Sequence, residues 1–261
     1  MRKSSVLPKH SECLRNLSLP EASRPETRVP RSRGARFVAF ADQYRHPADL
    51  PSRLPLFPLR GAILLPGSIL PLSIFEPRYL EMIDDVMSGS RILGIVQPSG
   101  GDSDESPPGK TVELRRIGGA GRITSYQELE DGRLAIAITG ISRFEIVGEA
   151  ETGKSYRAAT VSYDRFAGDL TRGLGEEQID RARLIGALKS YLARNNLKTD
   201  WSVIERAPSE FLINALCVMC PYGPEEKQAL LEAADLKTRA DVLVALAEME
   251  QAMRGGSGTL Q

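Results

Sequence analysis

Gly148-Glu149-Ala150-Glu151-Thr152-Gly153-Lys154-Ser155 fits the spacing G-x-x-x-x-G-K-[ST], in which backbone amides, a lysine and a hydroxyl can hold the phosphates and magnesium of a nucleotide. That chemistry needs a buried strand before the loop and a helix after it, with the helix N-terminus facing the phosphates. Residues 156–164 read YRAATVSYD, β-branched and aromatic, which is the texture of a strand. Glu149 and Glu151 would also repel phosphate. The spacing therefore predicts a hairpin turn, and an NTPase stands only as the third functional alternative. Cys217-Val218-Met219-Cys220 is the other chemically capable spacing, since two thiols so placed can cycle as a disulfide or form half a zinc site. The third cysteine, Cys13, and both histidines, His10 and His46, lie far away near the start of the chain. Within an apolar run the pair reads as buried structural cysteine. Gly118-Gly119-Ala120-Gly121 lacks the dinucleotide spacing and falls between two strand candidates, so it reads as a bulge or turn. No serine sits in a strained elbow, and no histidine is available as a base in the part expected to fold. No catalytic residue, cofactor or metal ligand is assigned. Glu76, Arg78 and Glu81 cluster at a helix start, where an ion pair fixing that helix to the sheet competes with a functional role.

The elements that would position these residues fall into two textures. From residue 53, short apolar segments punctuated by Gly and Pro predict strands over 54–59, 69–75, 91–97, 111–117, 122–129, 133–139, 142–147 and 156–164. Phe75 is expected to close the second of these as a buried ring. One helix is inserted from Pro77, with Tyr79, Leu80, Met82, Ile83 and Val86 at helical spacing and Gly89 ending it. Residues 98–110 form a polar Gly- and Pro-rich loop, and Asp131-Gly132 predicts a type I′ hairpin. Bulky Ile136 and Ile138 alternate with Ala135 and Ala137, as in a closed or strongly curved sheet. After a Gly-rich linker at 168–175 the period changes to near 3.6, predicting helices over 176–195, 208–220, 224–234 and 236–253. Leu184, Leu188, Tyr191 and Leu192 would form one apolar stripe, and Val242, Leu246, Met249 and Met253 another.

Charge and composition bound the function. The 34 basic and 34 acidic residues cancel, yet residues 1–40 hold nine basic against three acidic, leaving 25 basic and 31 acidic in the remainder. That acidic remainder argues against a nucleic-acid partner. Residues 1–50, basic and rich in Ser and Pro, read as a disordered tail: a transit-like peptide, a nucleic-acid-binding arm, or an artefact of a start codon placed too early. The longest apolar stretch, 61–72, is broken by Pro66 and Pro71, so no membrane span is expected. With no signal-peptide core at the start and few cysteines, the expected location is cytoplasmic.

Leu54-Pro55-Leu56-Phe57-Pro58-Leu59-Arg60, Leu65-Pro66-Gly67, Leu70-Pro71-Leu72 and Phe75-Glu76-Pro77-Arg78-Tyr79 together resemble the opening of the N-terminal, substrate-binding domain of Lon proteases. They also resemble small stand-alone proteins built from that domain. The resemblance continues through Ile117-Gly118, Asp131-Gly132, Gly140-Ile141-Ser142-Arg143-Phe144, Pro208, Asn214-Ala215-Leu216, Glu226-Lys227-Gln228 and Leu230-Leu231-Glu232, covering residues 53–251. It implies an α+β fold: a PUA-like β pseudo-barrel with one inserted helix over 53–166, a C-terminal helical bundle over 176–253, and a flexible end at 254–261. It implies recognition of unfolded or tagged polypeptides by a non-enzymatic module, an adaptor to a separate protease or a holdase, because the ATPase module and Ser-Lys dyad of full-length Lon find no room here. Phe75, Glu76, Arg78 and Tyr79 are the candidate polypeptide-binding residues. An RNA-binding PUA-like protein is the alternative, and the oligomeric state is left open.

Overall fold

Alternation of large apolar side chains with small or polar ones builds six strands in the computed structural model, which describes residues 43–100, 112–194 and 201–255. They are β1 (Arg53–Pro58), β2 (Ile69–Ile74), β3 (Ile92–Val96), β4 (Ile117–Glu128), β5 (Leu134–Ala150) and β6 (Arg157–Ser162). The sheet runs β2-β5-β4-β3-β1-β6, and β6 pairs back onto β5, so five strands close into a barrel. Among the described strands only β1 and β3 pair in parallel. The N-terminal half of β5 carries β2 as an added strand, Ile69 opposite Thr139 through Ile74 opposite Leu134, while its C-terminal half pairs with β6. Helix α1 (Pro77–Met87) is inserted after β2, with Pro77 at its first position.

Helices α2 (Arg181–Arg194), α3 (Trp201–Arg206), α4 (Ser209–Met219), α5 (Pro224–Glu232) and α6 (Leu236–Gly255) follow the barrel. One apolar cluster runs without interruption from Phe57, Leu93 and Ile138 in the barrel to Leu188, Leu216 and Leu230 in the helices. A second holds Leu54, Leu56, Val96 and Phe144. The barrel and the helices thus share a core.

Arg143 of β5 fixes the joint. It is 3% exposed, and its Nε and Nη2 donate to the two oxygens of Asp169 at 2.9 and 2.8 Å. Its Nη1 donates to Leu231 O at the end of α5 and to Ala233 O just beyond it, and its guanidinium lies 4.2 Å from the Phe166 ring centroid. Asp169, inside the stretch 168–175 expected to be a linker, belongs to the 3-10 segment Asp164–Leu170, which is kinked at Phe166. Gln97 of the barrel donates to Gln228 Oε1 and Pro224 O of α5, and Asn214 of α4 donates to Pro66 O, adding three more buried ties.

Several expectations change at this level. The strands predicted over 133–139 and 142–147 are one strand, because Gly140 keeps β5 continuous against the backbone of the segment between β1 and β2. No strand spans the described part of 111–117, where a single bridge joins Pro98 to Leu114. The hairpin at Asp131-Gly132 exists, but only Gly132 has positive φ, at 79°, and Gly132 N donates to Leu129 O. This is a three-residue loop closed by a left-handed glycine, not type I′. The helix expected over 176–195 is interrupted: Glu176–Gln178 is a separate turn, and Asp180 Oδ1 accepts from Arg183 N to start α2 afresh. Helix α3 was not anticipated. On α6 the fully buried stripe is Ala240, Leu243, Val244 and Ala247, while Val242 and Leu246 of the expected stripe are half-buried against the same core and Met249 is 55% exposed. Leu184, Leu188 and Leu192 are buried as expected, whereas the side chains of Tyr191 and Met253 lie outside the described ones. Tyr44 and Leu50, within the range expected to be a tail, are buried against the second cluster. Residues 1–42, most of the 98–110 loop and residues 256–261 lie outside the described residues.

Gly118-Gly119-Ala120-Gly121 is the interior of β4, with a bulge between Ala120 and Gly121. The glycines are needed for space. A Cβ on Gly119 would stand 2.0 Å from Leu64 O, and one on Gly140 2.0 Å from Leu65 O, while Gly94 faces the Phe144 ring. Gly119→Ala is expected to destabilise by more than about 4 kcal/mol, because the obstacle is backbone. Gly94→Ala meets only side chains, so Phe144→Leu should restore part of its loss. Urea denaturation of the three variants checks this, and equal rescue of both alanine substitutions would contradict the packing.

Candidate functional site

The segment from β2 into α1 contains all four predicted residues, and the structure gives them different roles. Along β2 the inner row, Leu70, Leu72 and Ile74, is buried at 6%, 3% and 1%. The outer row begins with Ile69, 49% exposed, passes through half-buried Pro71 and Ser73, and reaches Phe75, 37% exposed, one residue past the strand. Phe75 is therefore not the buried ring expected from sequence: alternation along β2 turns it outward. The β5 residues opposite the outer row are small, Thr139, Ala137 and Ala135, so Ile69 and Phe75 stand over a low floor. Among the described strands β2 pairs with β5 alone, which leaves its other side unpaired. Pro71 suits such an edge, where a missing N–H costs no ladder bond.

Glu76 precedes α1 in extended conformation, and its carboxylate pairs with Arg78 at 2.7 Å. The Arg78 guanidinium is 4.6 Å from the Tyr79 ring centroid. Tyr79 itself is 6% exposed, its ring centroid 4.1 Å from that of Phe57, and burial raises its hydroxyl above the ordinary tyrosine value. Tyr79 is an anchor of α1, and Phe75 is surface. Ile69, which completes the exposed row, was missed, although its alternation with Leu70 and Leu72 was available as a signal.

The third member of the cluster, Glu81, does not join Glu76 and Arg78. Glu81 and Asp85, one turn apart on α1, face the hairpin between β5 and β6. Ser155 Oγ and Ser155 N both donate to Glu81 Oε2, and Tyr156 OH donates to Asp85 Oδ2 at 2.8 Å. Lys154 Nζ lies 3.0 Å from Asp85 Oδ2 and 3.5 Å from Glu81 Oε1. The lysine and serine of the phosphate-loop spacing are thus engaged by two carboxylates, on a turn between two strands. The Ser155 bonds hold the Glu81 carboxyl below its ordinary value, the Tyr156 bond does the same for Asp85, and Asp85 raises Lys154. Cys217 and Cys220 are buried at 0% and 2%, and burial pushes the Cys217 thiol up to about 12, which keeps it protonated and a poor nucleophile. Among the described residues no cluster of three His, Cys, Asp or Glu side chains is placed to hold a metal, and no helix is long and apolar enough to cross a membrane.

The fold is similar overall to those of two solved N-terminal domains of Lon. One is the Lon N-terminal domain protein from Xanthomonas campestris (TM-score 0.50, 22% identity), the other the N-terminal domain of Mycobacterium avium complex Lon protease (TM-score 0.52, 20% identity). Each match covers 75% of this chain and 98% of the other. The family model of the ATP-dependent protease La (LON) substrate-binding domain matches residues 53–248, and the chain belongs to that family. The Lon protease of Flavobacterium johnsoniae is 27% identical over 205 residues, 74% of this chain and 23% of the relative. Lon protease 1 of Herpetosiphon aurantiacus is 34% identical over 110 residues, 42% of this chain and 13% of the relative. The chain spans about a quarter or less of the length of these relatives, and what matches is their substrate-binding domain.

The split within the segment has a direct consequence. Tyr79→Ala, which removes a buried ring, is expected to cost about 3–5 kcal/mol, and Phe75→Ala less than about 1, read by thermal or urea unfolding. The acid clasp titrates separately. Its two carboxyls have folded-state pKa values below the unfolded ones, so the stability they add is present above the unfolded values and lost as pH falls through the folded ones. Lys154→Ala should therefore lower the urea midpoint slightly at neutral pH and leave it unchanged once both carboxyls are protonated. Magnesium ATP should not shift the thermal midpoint of the wild type. A shift that disappears in Lys154→Ala would revive nucleotide binding.

Proposed function

We propose that the chain is a polypeptide-recognition module that binds unfolded or tagged polypeptides in extended form along the open side of β2. The observation that carries this reading is the pair of exposed apolar side chains, Ile69 and Phe75, at the two ends of the outward row beside the unpaired edge of β2, in a chain of the Lon substrate-binding family. A strand laid against β2 would gain main-chain hydrogen bonds without regard to sequence, and Ile69 and Phe75 would favour clients with apolar residues at alternate positions. Glu76 and Arg78, paired at the end of that row, would limit how far a client extends toward α1. On this reading the chain acts without catalysis, as an adaptor presenting clients to a separate protease or as a holdase, and it works in the cytoplasm. The net acidic charge beyond residue 40 supports a polypeptide partner over RNA.

Fluorescence anisotropy with a labelled, reduced and carboxymethylated protein tests it. Wild type should bind, and Ile69→Asp and Phe75→Asp should each weaken binding by roughly tenfold, about 1.4 kcal/mol. Both variants should keep the thermal midpoint within about 2 °C, since neither side chain is packed in the core. Absent binding, or binding indifferent to both substitutions, would remove the edge-strand reading.

A further inference from the structure

Gln43 and Tyr44, where the described chain starts, are held beside the row that β2 presents. Nη1 of Arg122, on β4, donates to Tyr44 OH at 3.0 Å and lies 3.5 Å from Gln43 Oε1. Arg122 stands opposite Thr139 of β5, and Thr139 stands opposite Ile69 of β2. Residues directly opposite in antiparallel strands share a face, and neighbouring strands lie about 4.8 Å apart, so the backbone at Arg122 is about 10 Å from that at Ile69, on the same side of the sheet. That side carries the low floor of Thr139, Ala137 and Ala135, continued on β4 by exposed Thr124 and Ser125, and Thr124 Oγ1 is 2.9 Å from Thr139 Oγ1. The chain before Gln43 therefore joins the fold at the Ile69 end of the floor.

The sequence just before Gln43 complements this surface. Residues 36–41 read RFVAFA, and Phe37 and Phe40 are the only Phe, Tyr or Trp among residues 1–42. Three extended residues span about 10 Å, which lets Phe40 reach Thr139 and Phe37 the neighbourhood of Ala135. The small floor residues leave room above them for two rings, between exposed Ile69 and Phe75. A segment that arrives at the Ile69 end must come from the Phe75 end, antiparallel to β2. That direction brings Arg31, Arg33 and Arg36 toward the β4–β5 hairpin, where Glu128 and Glu130 are exposed. The basic side chains nearby are already paired, Arg133 with Asp131 and Arg78 with Glu76.

We propose that residues 36–40 of the same chain dock on this floor, with Phe37 and Phe40 over Ala135, Ala137 and Thr139, and that they compete there with an incoming polypeptide. The competition rests on the edge-strand reading, whereas the docking does not. A client must then displace the segment, and its apparent affinity falls by the fraction of molecules in which the row is open. Two experiments on the full chain test the two parts. In the first, Phe40→p-benzoylphenylalanine is irradiated and the products are mapped by mass spectrometry. A cross-link within one molecule to residues 69–75, 122–125 or 135–139 is expected, at a yield independent of protein concentration. Cross-links to other regions, cross-links only between two copies, or none would overturn the docking. In the second, fluorescence anisotropy with the labelled, reduced and carboxymethylated protein compares wild type with the double variant Phe37→Ser, Phe40→Ser. The double variant should bind about fivefold more tightly, as expected for a row that is covered four-fifths of the time, and adding Ile69→Asp should remove the gain. Client binding unchanged or weakened in the double variant would overturn the competition. If neither wild type nor the double variant binds the client, the edge-strand reading falls with the competition, and the cross-link alone decides the docking.

Discussion

A guanidinium buried at position 143 joins the two halves of this molecule. Apolar packing alone would let helices slide over a barrel surface with little change in buried area, because the hydrophobic effect is non-directional. Arg143 removes that freedom. Its planar fork is matched by both oxygens of Asp169 on one side and by Leu231 O and Ala233 O at the end of α5 on the other. The carbonyls at a helix end would otherwise lack partners, so the same side chain that positions α5 also satisfies it. Gln97, Gln228 and Asn214 repeat the device on a smaller scale, each crossing between barrel and helix through a buried amide. Fully paired groups of this kind fix one arrangement where apolar contacts would accept several.

Barrel closure depends on a second constraint, which is steric. The segment between β1 and β2 passes so close to β4 and β5 that the carbonyls of Leu64 and Leu65 occupy the places where side chains of residues 119 and 140 would be. Gly67 N donates to Gly140 O and Gly140 N to Ser68 O, which ties the crossing segment to the strand it touches. This explains both the continuity of β5 through Gly140 and a glycine run that reads alone as a bulge or turn and is a bulge inside β4. Glycine signals a turn only when nothing crowds the backbone, and crowding is a tertiary fact that one-dimensional spacing does not hold.

What the sequence made legible follows the same division. Strand alternation, the inserted helix after Pro77 and the helical texture beyond residue 176 were all readable, because each depends on neighbours within a few residues. The errors concern long-range contact. Val242 and Leu246 of the expected stripe pack half-buried against the core, yet Ala240, Leu243, Val244 and Ala247 take the fully buried face and Met249 is left outside. Phe75 looked like a core residue by type, and its place one step beyond Ile74 in an alternating strand turned it outward. The strand expected after the phosphate-loop spacing is present as β6, but the lysine and serine of that spacing have an employment it did not suggest, as the tie between the β5–β6 hairpin and α1. Arg143 was quoted only as part of a family resemblance, although an arginine between Ile141 and Phe144 in an apolar strand is itself a sign that a buried partner exists.

The floor beside β2 and the joint to the helices both rest on β5: residues 134–139 form the floor, and Arg143 makes the joint four residues further on. Movement at one would reach the other only through a second arrangement of β5 between residues 139 and 143, and none is within reach. A one-residue slip would carry Gly140 away from Leu65 O and drive a side chain into it, while Arg143 would lose Asp169 and the α5 carbonyls together. The stretch is clamped at both ends by contacts that fail abruptly. In this fold β5 therefore acts as a rigid spacer between the β2 edge and the joint to the helices.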